Sequence, residues 1–262
     1  MRDKQAYVLA VTPKNYHVLK TRKLSEVKSI PLDAFCVYIK GGEKNVKHLK
    51  CIVFDMDGTL TQTNQLIYDS FNYIAQKYAG RTYTIPEIHA MFGPPEEEAL
   101  LEIVRPDQIN KVMKDYLAFY RTYHSQLARL FPGIEDILRS IKECGKTLAL
   151  FTGKGTHTTR ITLQEFHIDK YFDFVVTGND VVNRKPSSEG LRKIMKHFAL
   201  QPNEVLMVGD AVSDVKAAHE AGVKIAVVVW DSYAKDIVMQ MKSDFIFHDV
   251  GEFHDWLKKQ FS

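Results

Sequence analysis

The chain is 262 residues long, with 45% hydrophobic residues and a formal net charge of +3. It exceeds the length of a typical single domain, roughly 100–200 residues, so we expect one large domain or two unequal ones. No apolar run approaches the roughly 18 residues that a membrane-crossing helix needs, and residues 1–5 lead into no secretory signal. The three cysteines, Cys36, Cys51 and Cys144, show neither disulfide nor metal-ligand spacing. We therefore expect a cytoplasmic protein with reduced thiols and no membrane contact.

The first 48 residues differ from the rest of the chain in charge and in pattern. Residues 1–50 hold eleven Lys or Arg against four Asp or Glu, whereas the remaining residues hold 24 against 28. Because the basic surplus is confined to this segment, the composition gives little support for nucleic-acid binding. Short β-like runs predict a small β-rich extension that ends near Gly41-Gly42. It is expected either to pack on the core or mediate dimerisation, or to dock an acidic partner.

From residue 50 onward, short apolar runs alternate with amphipathic helical segments. Strands are predicted at 51–54, 147–151, 172–176, 205–208, 224–229 and 244–247, and helices at 134–143, 156–166, 187–198, 213–221 and 232–241. Continuous apolar runs are typical of strands that are buried on both faces. Strands spaced by helices predict an α/β fold with a parallel, doubly wound sheet.

One stretch, residues 64–130, breaks this alternation and is predicted to be helical throughout. Gly80 is a plausible C-terminal stop for its first helix, and Pro86 suits a first helical turn. A helical insertion after the first strand would stand over the carboxyl ends of the strands, where open α/β sheets bind ligands.

The strongest chemical signal is an Asp-x-Asp-Gly-Thr sequence at residues 55–59, directly after the first predicted core strand. Asp55 and Asp57 leave the strand end together, and Gly58 permits a turn that directs backbone N–H groups at an anion. A carboxylate that attacks a phosphate needs a hard divalent cation to offset repulsion, and Mg²⁺ with oxygen ligands meets that need. The second acid, Asp57, would protonate the leaving oxygen and then activate water. The alternative is an ordinary surface turn.

Three further elements follow predicted strands. Thr152 and Gly153 offer a hydroxyl and backbone amides to a phosphoryl oxygen, although Thr-Gly after a strand is often only a helix N-cap. One cation of Arg184-Lys185-Pro186 could neutralise charge on a phosphoryl group and the nucleophile, although a lysine before a proline is most often a solvated surface residue. Asp210 could reach a metal ion, and Asp214 could orient a water or a lysine, unless it serves as a helix cap.

Together, in this order, these motifs resemble the haloacid dehalogenase-type phosphatase superfamily. The resemblance covers residues 50–262 and implies a three-layer Rossmann-like core with an inserted helical cap. It implies domains at 1–48 (β-rich extension), 49–66 with 131–262 (core) and 67–130 (cap). It also implies a phosphoaspartyl intermediate at Asp55, acid/base catalysis by Asp57, and phosphate contacts from Thr152 and Lys185. Mg²⁺ would be held by Asp55, the Asp57 carbonyl and Asp210, and Asp214 would support these groups without contacting the ion.

The branch of the superfamily is indicated by shorter segments. Gln62 stands where members that resemble phosphoglycolate phosphatase commonly have Asp, and Gly93-Pro94-Pro95 is closer to the bacterial inorganic pyrophosphatase branch. Ser188 and Ala211 also depart from the usual pattern, at positions that carry no charge chemistry. Substrate contacts are predicted from Gly58, Thr59 and Gly153 in the core and from Gly93 and Pro94 in the cap.

The predicted function is therefore Mg²⁺-dependent hydrolysis of a small phosphorylated metabolite, phosphoglycolate-like or pyrophosphate-like. Two alternatives remain open. A sugar-phosphate mutase would share the site, although Thr59 after the glycine favours hydrolysis. A catalytically inactive scaffolding protein would be expected to lack one of the site residues, and all of them are present.

Overall fold

The computed structural model describes residues 7–12, 15–20, 35–36 and 48–261, in two compact units, Met1–Val46 and Lys47–Ser262. In the first unit, β1 (Tyr7–Thr12) pairs antiparallel with β2 (Asn15–Lys20) and with β3 (Phe35–Cys36). The rest of the predicted β-rich extension lies outside the described residues. Its dimerisation or docking role therefore stays a prediction.

The second unit is built on a six-stranded sheet in which every pairing is parallel. Its strands are β4 (Cys51–Phe54), β7 (Thr147–Phe151), β8 (Phe174–Val176), β9 (Val205–Gly209), β10 (Lys224–Val228) and β11 (Phe245–Phe247), in the order β11-β10-β9-β4-β7-β8. From β4 the chain winds outward through β7 and β8, then returns to the other side of β4 with β9. The strand order therefore reverses between β4 and β9, and the crevice outside the carboxyl ends of these strands is where such folds bind ligands.

Helices cover both faces of this sheet. They are α5 (Ile134–Glu143), α6 (Thr156–Glu165), α7 (Glu189–His197), α8 (Val212–Ala221), α9 (Lys235–Val238) and α10 (Val250–Phe261). Along β4, Cys51 and Val53 join the buried cluster that includes α7 and α8. Phe54 points to the opposite face, where its ring meets Phe253 of α10 at 6.1 Å. This alternation, with apolar side chains on both faces, explains why the strands are continuous apolar runs. The predicted doubly wound α/β fold is confirmed.

A helical cap, here the helices α1–α4, interrupts the core after β4. Its helices are α1 (Asn64–Ala79), α2 (Ile85–Ala90), α3 (Glu96–Ala99) and α4 (Ile109–Leu127). The predicted boundary at residues 66/67 falls inside α1. Gly80 ends α1 in the left-handed conformation, with φ 65°, and Pro86 lies in the first turn of α2, as predicted. The chain enters and leaves the cap side by side, since β5 (Thr61–Gln62) pairs antiparallel with β6 (Arg129–Leu130).

The cap has an apolar core of its own, centred on the packing of α1 against α4. Phe71 of α1 meets Tyr116 of α4 edge to face, with ring centroids 5.7 Å apart. Ile161 of α6 belongs to the same buried cluster, so the cap packs on a core helix. Within the described residues, no helix combines the length and apolarity that crossing a membrane requires. Cys51 and Cys144 are both free thiols.

Candidate active site

The loop after β4 is a tight turn that starts at the carboxyl edge of the sheet. The Asp55 N–H donates to the Val208 carbonyl at 2.9 Å and so extends the β4–β9 pairing by one residue. Gly58 has φ +82°, and its N–H donates to the Thr61 carbonyl at 2.9 Å. A Cβ at position 58 would lie 2.6 Å from Asp210 Oδ2. Glycine is therefore required both by the backbone angle and by the close approach of Asp210.

Lys185 links two of the predicted site carboxylates. Its Nζ lies 2.6 Å from Asp55 Oδ1 and 2.6 Å from Asp214 Oδ1, and its side chain is almost fully buried. Asp214 Oδ2 accepts the Ala211 N–H at 3.0 Å, so both oxygens of this carboxylate are engaged. Burial alone lowers the pKa of Lys185, but the charges of Asp214 and Asp55 outweigh burial and hold this pKa above its usual value. Lys185 is thus a fixed positive charge beside Asp55.

Asp55, Asp210 and Asp214 form a buried acidic cluster, each with one oxygen within 4.8 Å of the others. Burial raises the pKa of Asp55 to about 7; Lys185 opposes this rise and Asp214 reinforces it. Burial, followed by the charges of Asp55 and Asp214, raises the pKa of Asp210 well above its usual value. One ammonium does not balance three carboxylates, and an all-oxygen donor set suits Mg²⁺. Because Asp214 is already engaged, Asp55 and Asp210 are the side chains that could hold this ion.

Thr59 is fully buried and is not among the residues that line the cavity described below. Its hydroxyl donates to Asp210 Oδ1 at 2.9 Å, and its carbonyl accepts the indole N–H of Trp230 at 3.2 Å. The Ser232 hydroxyl donates to the Asp210 carbonyl at 2.6 Å. Although we predicted a substrate contact for Thr59, the structure places its side chain against Asp210, which it orients.

Thr152 and Gly153 leave β7 beside Asp55, and both line the cavity. The Thr152 N–H donates to the Val176 carbonyl at 3.0 Å, and the Thr152 hydroxyl accepts the Lys154 N–H at 3.2 Å. The following helix, α6, has Gly155 as its N-cap residue. Thr152 therefore does not cap this helix, and the alternative interpretation of the Thr-Gly pair does not hold.

Lys154 is a further residue of the site, and it belongs to none of the predicted motif positions. Its side chain is 2% exposed, and its Nζ lies 3.2 Å from Asp57 Oδ2, 3.9 Å from Glu96 Oε1 and 5.0 Å from the centre of the Tyr120 ring. Asp57 Oδ1 accepts a short hydrogen bond from the Thr63 hydroxyl. Both oxygens of Asp57 thus have partners. The only sequence signal for Lys154 is its position two residues after Thr152, at a strand end.

The acidic turn at residues 96–98 joins the cap to the core. Glu96 is buried; its Oε2 accepts the Gly155 N–H at 2.9 Å and its Oε1 accepts the Thr158 hydroxyl at 2.6 Å. Glu98 Oε2 accepts a hydrogen bond from Arg184 at 2.8 Å. These glutamates occupy the first turn of α3, where carboxylates also complement the helix dipole. Their partners show that the turn additionally docks the cap on two core loops.

The carboxyl edge of the sheet and the cap enclose a cavity of about 300 Å³. Its lining includes ten of the eleven predicted site residues: Asp55, Asp57, Gly58, Gly93, Pro94, Thr152, Gly153, Lys185, Asp210 and Asp214. Gly93 approaches the core so closely that a Cβ on Gly153 would lie 3.3 Å from its carbonyl oxygen. The structure therefore brings motifs that are far apart in sequence around one cavity. Thr59 is the predicted site residue that does not line it.

A family model described as haloacid dehalogenase-like hydrolase matches residues 52–228. Pyrophosphatase PpaX of Anoxybacillus flavithermus is 31% identical over 205 residues, which are 78% of this chain and 95% of that protein. Pyrophosphatase PpaX of Halalkalibacterium halodurans is 30% identical over 207 residues, which are 79% and 96% of the two chains. The chain therefore belongs to the haloacid dehalogenase-like hydrolase family, which confirms the resemblance that the motifs predicted.

Solved structures support the same assignment. The crystal structure of a predicted phosphoglycolate phosphatase from Haemophilus somnus is 26% identical, with a TM-score of 0.70, over 81% of this chain and 98% of that one. CbbY from Rhodobacter sphaeroides, solved in complex with phosphate, is 20% identical, with a TM-score of 0.65, over 76% and 93% of the two chains. At that identity the second likeness shows the fold alone.

Proposed function

We propose that the protein is a Mg²⁺-dependent phosphatase that hydrolyses a small phosphorylated metabolite through a phosphoaspartyl intermediate on Asp55. The observation that carries this proposal is the contact of Asp55 with Lys185, inside the acidic cluster and at the cavity surface. Bound Mg²⁺, with Asp55, the Asp57 carbonyl and Asp210 as ligands, would screen the repulsion between a carboxylate and a phosphate dianion.

The proposed reaction has two steps on the protein's own groups. Asp55 attacks phosphorus, the bond to the leaving oxygen breaks, and Asp57 gives its proton to that oxygen. Asp57 then takes a proton from the water that attacks the phosphoaspartyl group, which releases phosphate and restores Asp55. Thr152, the Gly153 N–H and Lys185 would hold the phosphoryl oxygens, while Lys154 and Thr63 fix the orientation of Asp57.

Two substrate classes are suggested by the relatives, pyrophosphate and phosphoglycolate-like monoesters. The test is phosphate release from a panel of both classes, sugar phosphates and nucleotides, with Mg²⁺ or with EDTA, for the wild type and Asp55→Asn. We expect release that requires Mg²⁺ and is lost in Asp55→Asn. If the wild type released no phosphate from any compound, the proposal would fail and a non-catalytic role would replace it.

The alternative proposal, a sugar-phosphate mutase, uses the same nucleophile but returns the phosphoryl group to a sugar. Product analysis separates the two, because a phosphatase yields free phosphate and a mutase yields an isomerised sugar phosphate. The two predicted contacts from the cap, Gly93 and Pro94, line the cavity beside Gly153 and would approach the leaving group in either reaction.

A further inference from the structure

The cap side of the cavity is largely apolar, and its polar side chains are Asn64 of α1 and Glu96 of α3. Its apolar wall is formed by Ile67 and Phe71 of α1, Met91 and Phe92 after α2, and Ala99 of α3. Glu96 is the one charged cap residue among the described residues that line the cavity, and it carries negative charge. In the proposed reaction Asp55 and Lys185 face the phosphoryl group. The cap side of the cavity therefore faces the leaving group of the substrate.

Positive charge in the cavity is already paired. Among the described lining residues the only cations are Lys154 and Lys185, against five carboxylates. Lys185 is held by Asp55 and Asp214, and Lys154 lies between Asp57 and Glu96. A carboxylate or a second phosphate on the leaving group would therefore meet apolar side chains, Asn64 and Glu96, and on this side no cation of the described lining would balance its charge, since the proposed Mg²⁺ lies with Asp55 and Asp210 on the core side. Burying a charge without a partner is strongly unfavourable.

The rim of the cavity carries aromatic rings from both the cap and the core. Tyr233, in the loop after β10, is 57% exposed and lines the cavity together with Phe92. Its ring centroid lies 6.4 Å from that of Phe92, at an interplanar angle of 85°, and 4.9 Å from that of His89. His89 in turn contacts the Tyr68 hydroxyl at 2.6 Å, which fixes the imidazole. The rim therefore presents flat apolar surfaces at the cavity mouth, suited to a ring.

We infer that the enzyme prefers phosphate monoesters whose leaving group is uncharged and carries an aromatic ring, over those with an anionic leaving group. The inference rests on the proposed phosphatase activity and departs from the two substrate classes that the relatives suggest. It disfavours phosphoglycolate and pyrophosphate, whose leaving groups are a carboxylate-bearing alcohol and a phosphate. The phosphoryl half of the substrate is bound as proposed above, and the ring packs against the edge-to-face pair of Phe92 and Tyr233 on the cap side of the cavity.

The test compares kcat/KM for four compounds: benzyl phosphate, 2-hydroxyethyl phosphate, 2-phosphoglycolate and pyrophosphate. The first three are primary alkyl phosphates that differ in carrying a ring, a neutral polar group or a carboxylate. We expect benzyl phosphate to exceed phosphoglycolate and pyrophosphate by about tenfold or more, the scale of one or two aromatic contacts.

Substitutions test which side chains produce the preference for an aromatic leaving group. Phe92→Ala and Tyr233→Ala should raise KM for benzyl phosphate by about tenfold and change that for 2-hydroxyethyl phosphate by less than about twofold. Tyr123→Ala is the matched control, because Tyr123 is an exposed cap tyrosine outside the cavity that packs on Phe119. Met91→Lys, which places a cation in the apolar wall, should raise kcat/KM for phosphoglycolate relative to benzyl phosphate.

The outcomes separate the two proposals. Asp55-dependent hydrolysis that is faster with phosphoglycolate or pyrophosphate than with benzyl phosphate would overturn the inference and leave the phosphatase standing. Hydrolysis of benzyl phosphate that is unchanged by both Phe92→Ala and Tyr233→Ala would also overturn it. A wild type that releases phosphate from none of the four compounds or the wider panel would remove both proposals together.

Discussion

The carboxylate of Glu96, in the cap, accepts the backbone N–H of Gly155, in the core, at 2.9 Å. The contact is so close that a Cβ on Gly155 would lie 2.3 Å from Glu96 Oε2. Gly155 directly follows the loop that carries Thr152 and Lys154. The same carboxylate that docks the cap therefore also holds the loop that presents these two groups to the cavity.

Replacing Glu96 by alanine should reduce both stability and catalysis. The Gly155 N–H would lose its acceptor, which costs about 1–3 kcal/mol for a donor left buried and unpaired, and the Thr158 hydroxyl would keep only its longer hydrogen bond to the Gly155 carbonyl. Urea unfolding and steady-state kinetics measure the two effects. Glu102→Ala, at an exposed position of the same segment, is the control and should match the wild type. Equal stability of Glu96→Ala and the control would show that the contact is not made in solution.

Lys185→Met should nearly abolish turnover. Without the ammonium, Asp55 and Asp214 repel each other in a buried environment, and the proposed nucleophile, Asp55, loses its fixed partner. We expect kcat to fall by about 100-fold or more, as for the loss of an electrostatic catalytic group. Lys170→Met, at a well-exposed lysine of the core, is the control. Turnover of Lys185→Met within about threefold of the wild type would contradict the proposed role.

Binding of Mg²⁺ should stabilise the protein without any substrate. A ligand at 100 times its Kd adds about 2.7 kcal/mol to the free energy of unfolding. For a domain of this size, each kcal/mol raises Tm by about 2–4 °C. Thermal unfolding in EDTA and in excess Mg²⁺ should therefore differ by several degrees in the wild type. The difference should largely disappear in Asp210→Asn, and its persistence there would place the ion elsewhere.

Gly58→Ala should impair the site more than its backbone strain alone explains. Gly58 and Gly80 both have positive φ, so an alanine at either position costs about 1–2 kcal/mol. Around Gly80 there is nothing within 4 Å of an added Cβ, whereas at Gly58 the added Cβ would lie 2.6 Å from Asp210 Oδ2. We expect a larger loss of stability from Gly58→Ala than from Gly80→Ala, because Asp210 must shift, and weaker Mg²⁺ binding only in Gly58→Ala. Equal Mg²⁺ affinity, measured by calorimetry, would contradict this.

Local sequence predicted the sheet well because burial on both faces leaves a clear pattern. The strands Cys51–Phe54 and Thr147–Phe151 and the helix Ile134–Glu143 have the predicted boundaries. The helix predicted at 232–241 is reduced to Lys235–Val238. Its first residues are held out of the helix, since the Ser232 hydroxyl binds the Asp210 carbonyl. The hydrophobic periodicity of residues 232–241 gives no indication of that tertiary contact.

The motif residues of the site could be predicted because each stands at a strand end, and parallel strands bring their ends together. The roles of Lys154 and Glu96 could not. Lys154 meets Asp57 across 97 positions of sequence, and Glu96 meets Gly155 across 59. The first contact joins two core loops that only the folded sheet brings together, and the second depends on how the cap packs on the core. A glutamate in a first helical turn is also adequately explained by the helix dipole, which concealed its second role.

The position of β4 between β7 and β9 has a consequence for synthesis of the protein. Asp55 is made early, but its neighbour across the strand order, Asp210, follows β9 and is added some 155 residues later. The β4–β9 pairing closes a long loop of chain. Such non-local pairing forms late in folding, because the intervening chain loses conformational entropy before the paired strands contribute stability. A growing chain on the ribosome therefore holds Asp55 in an incomplete site, and the proposed activity requires that the second half of the sheet has been made.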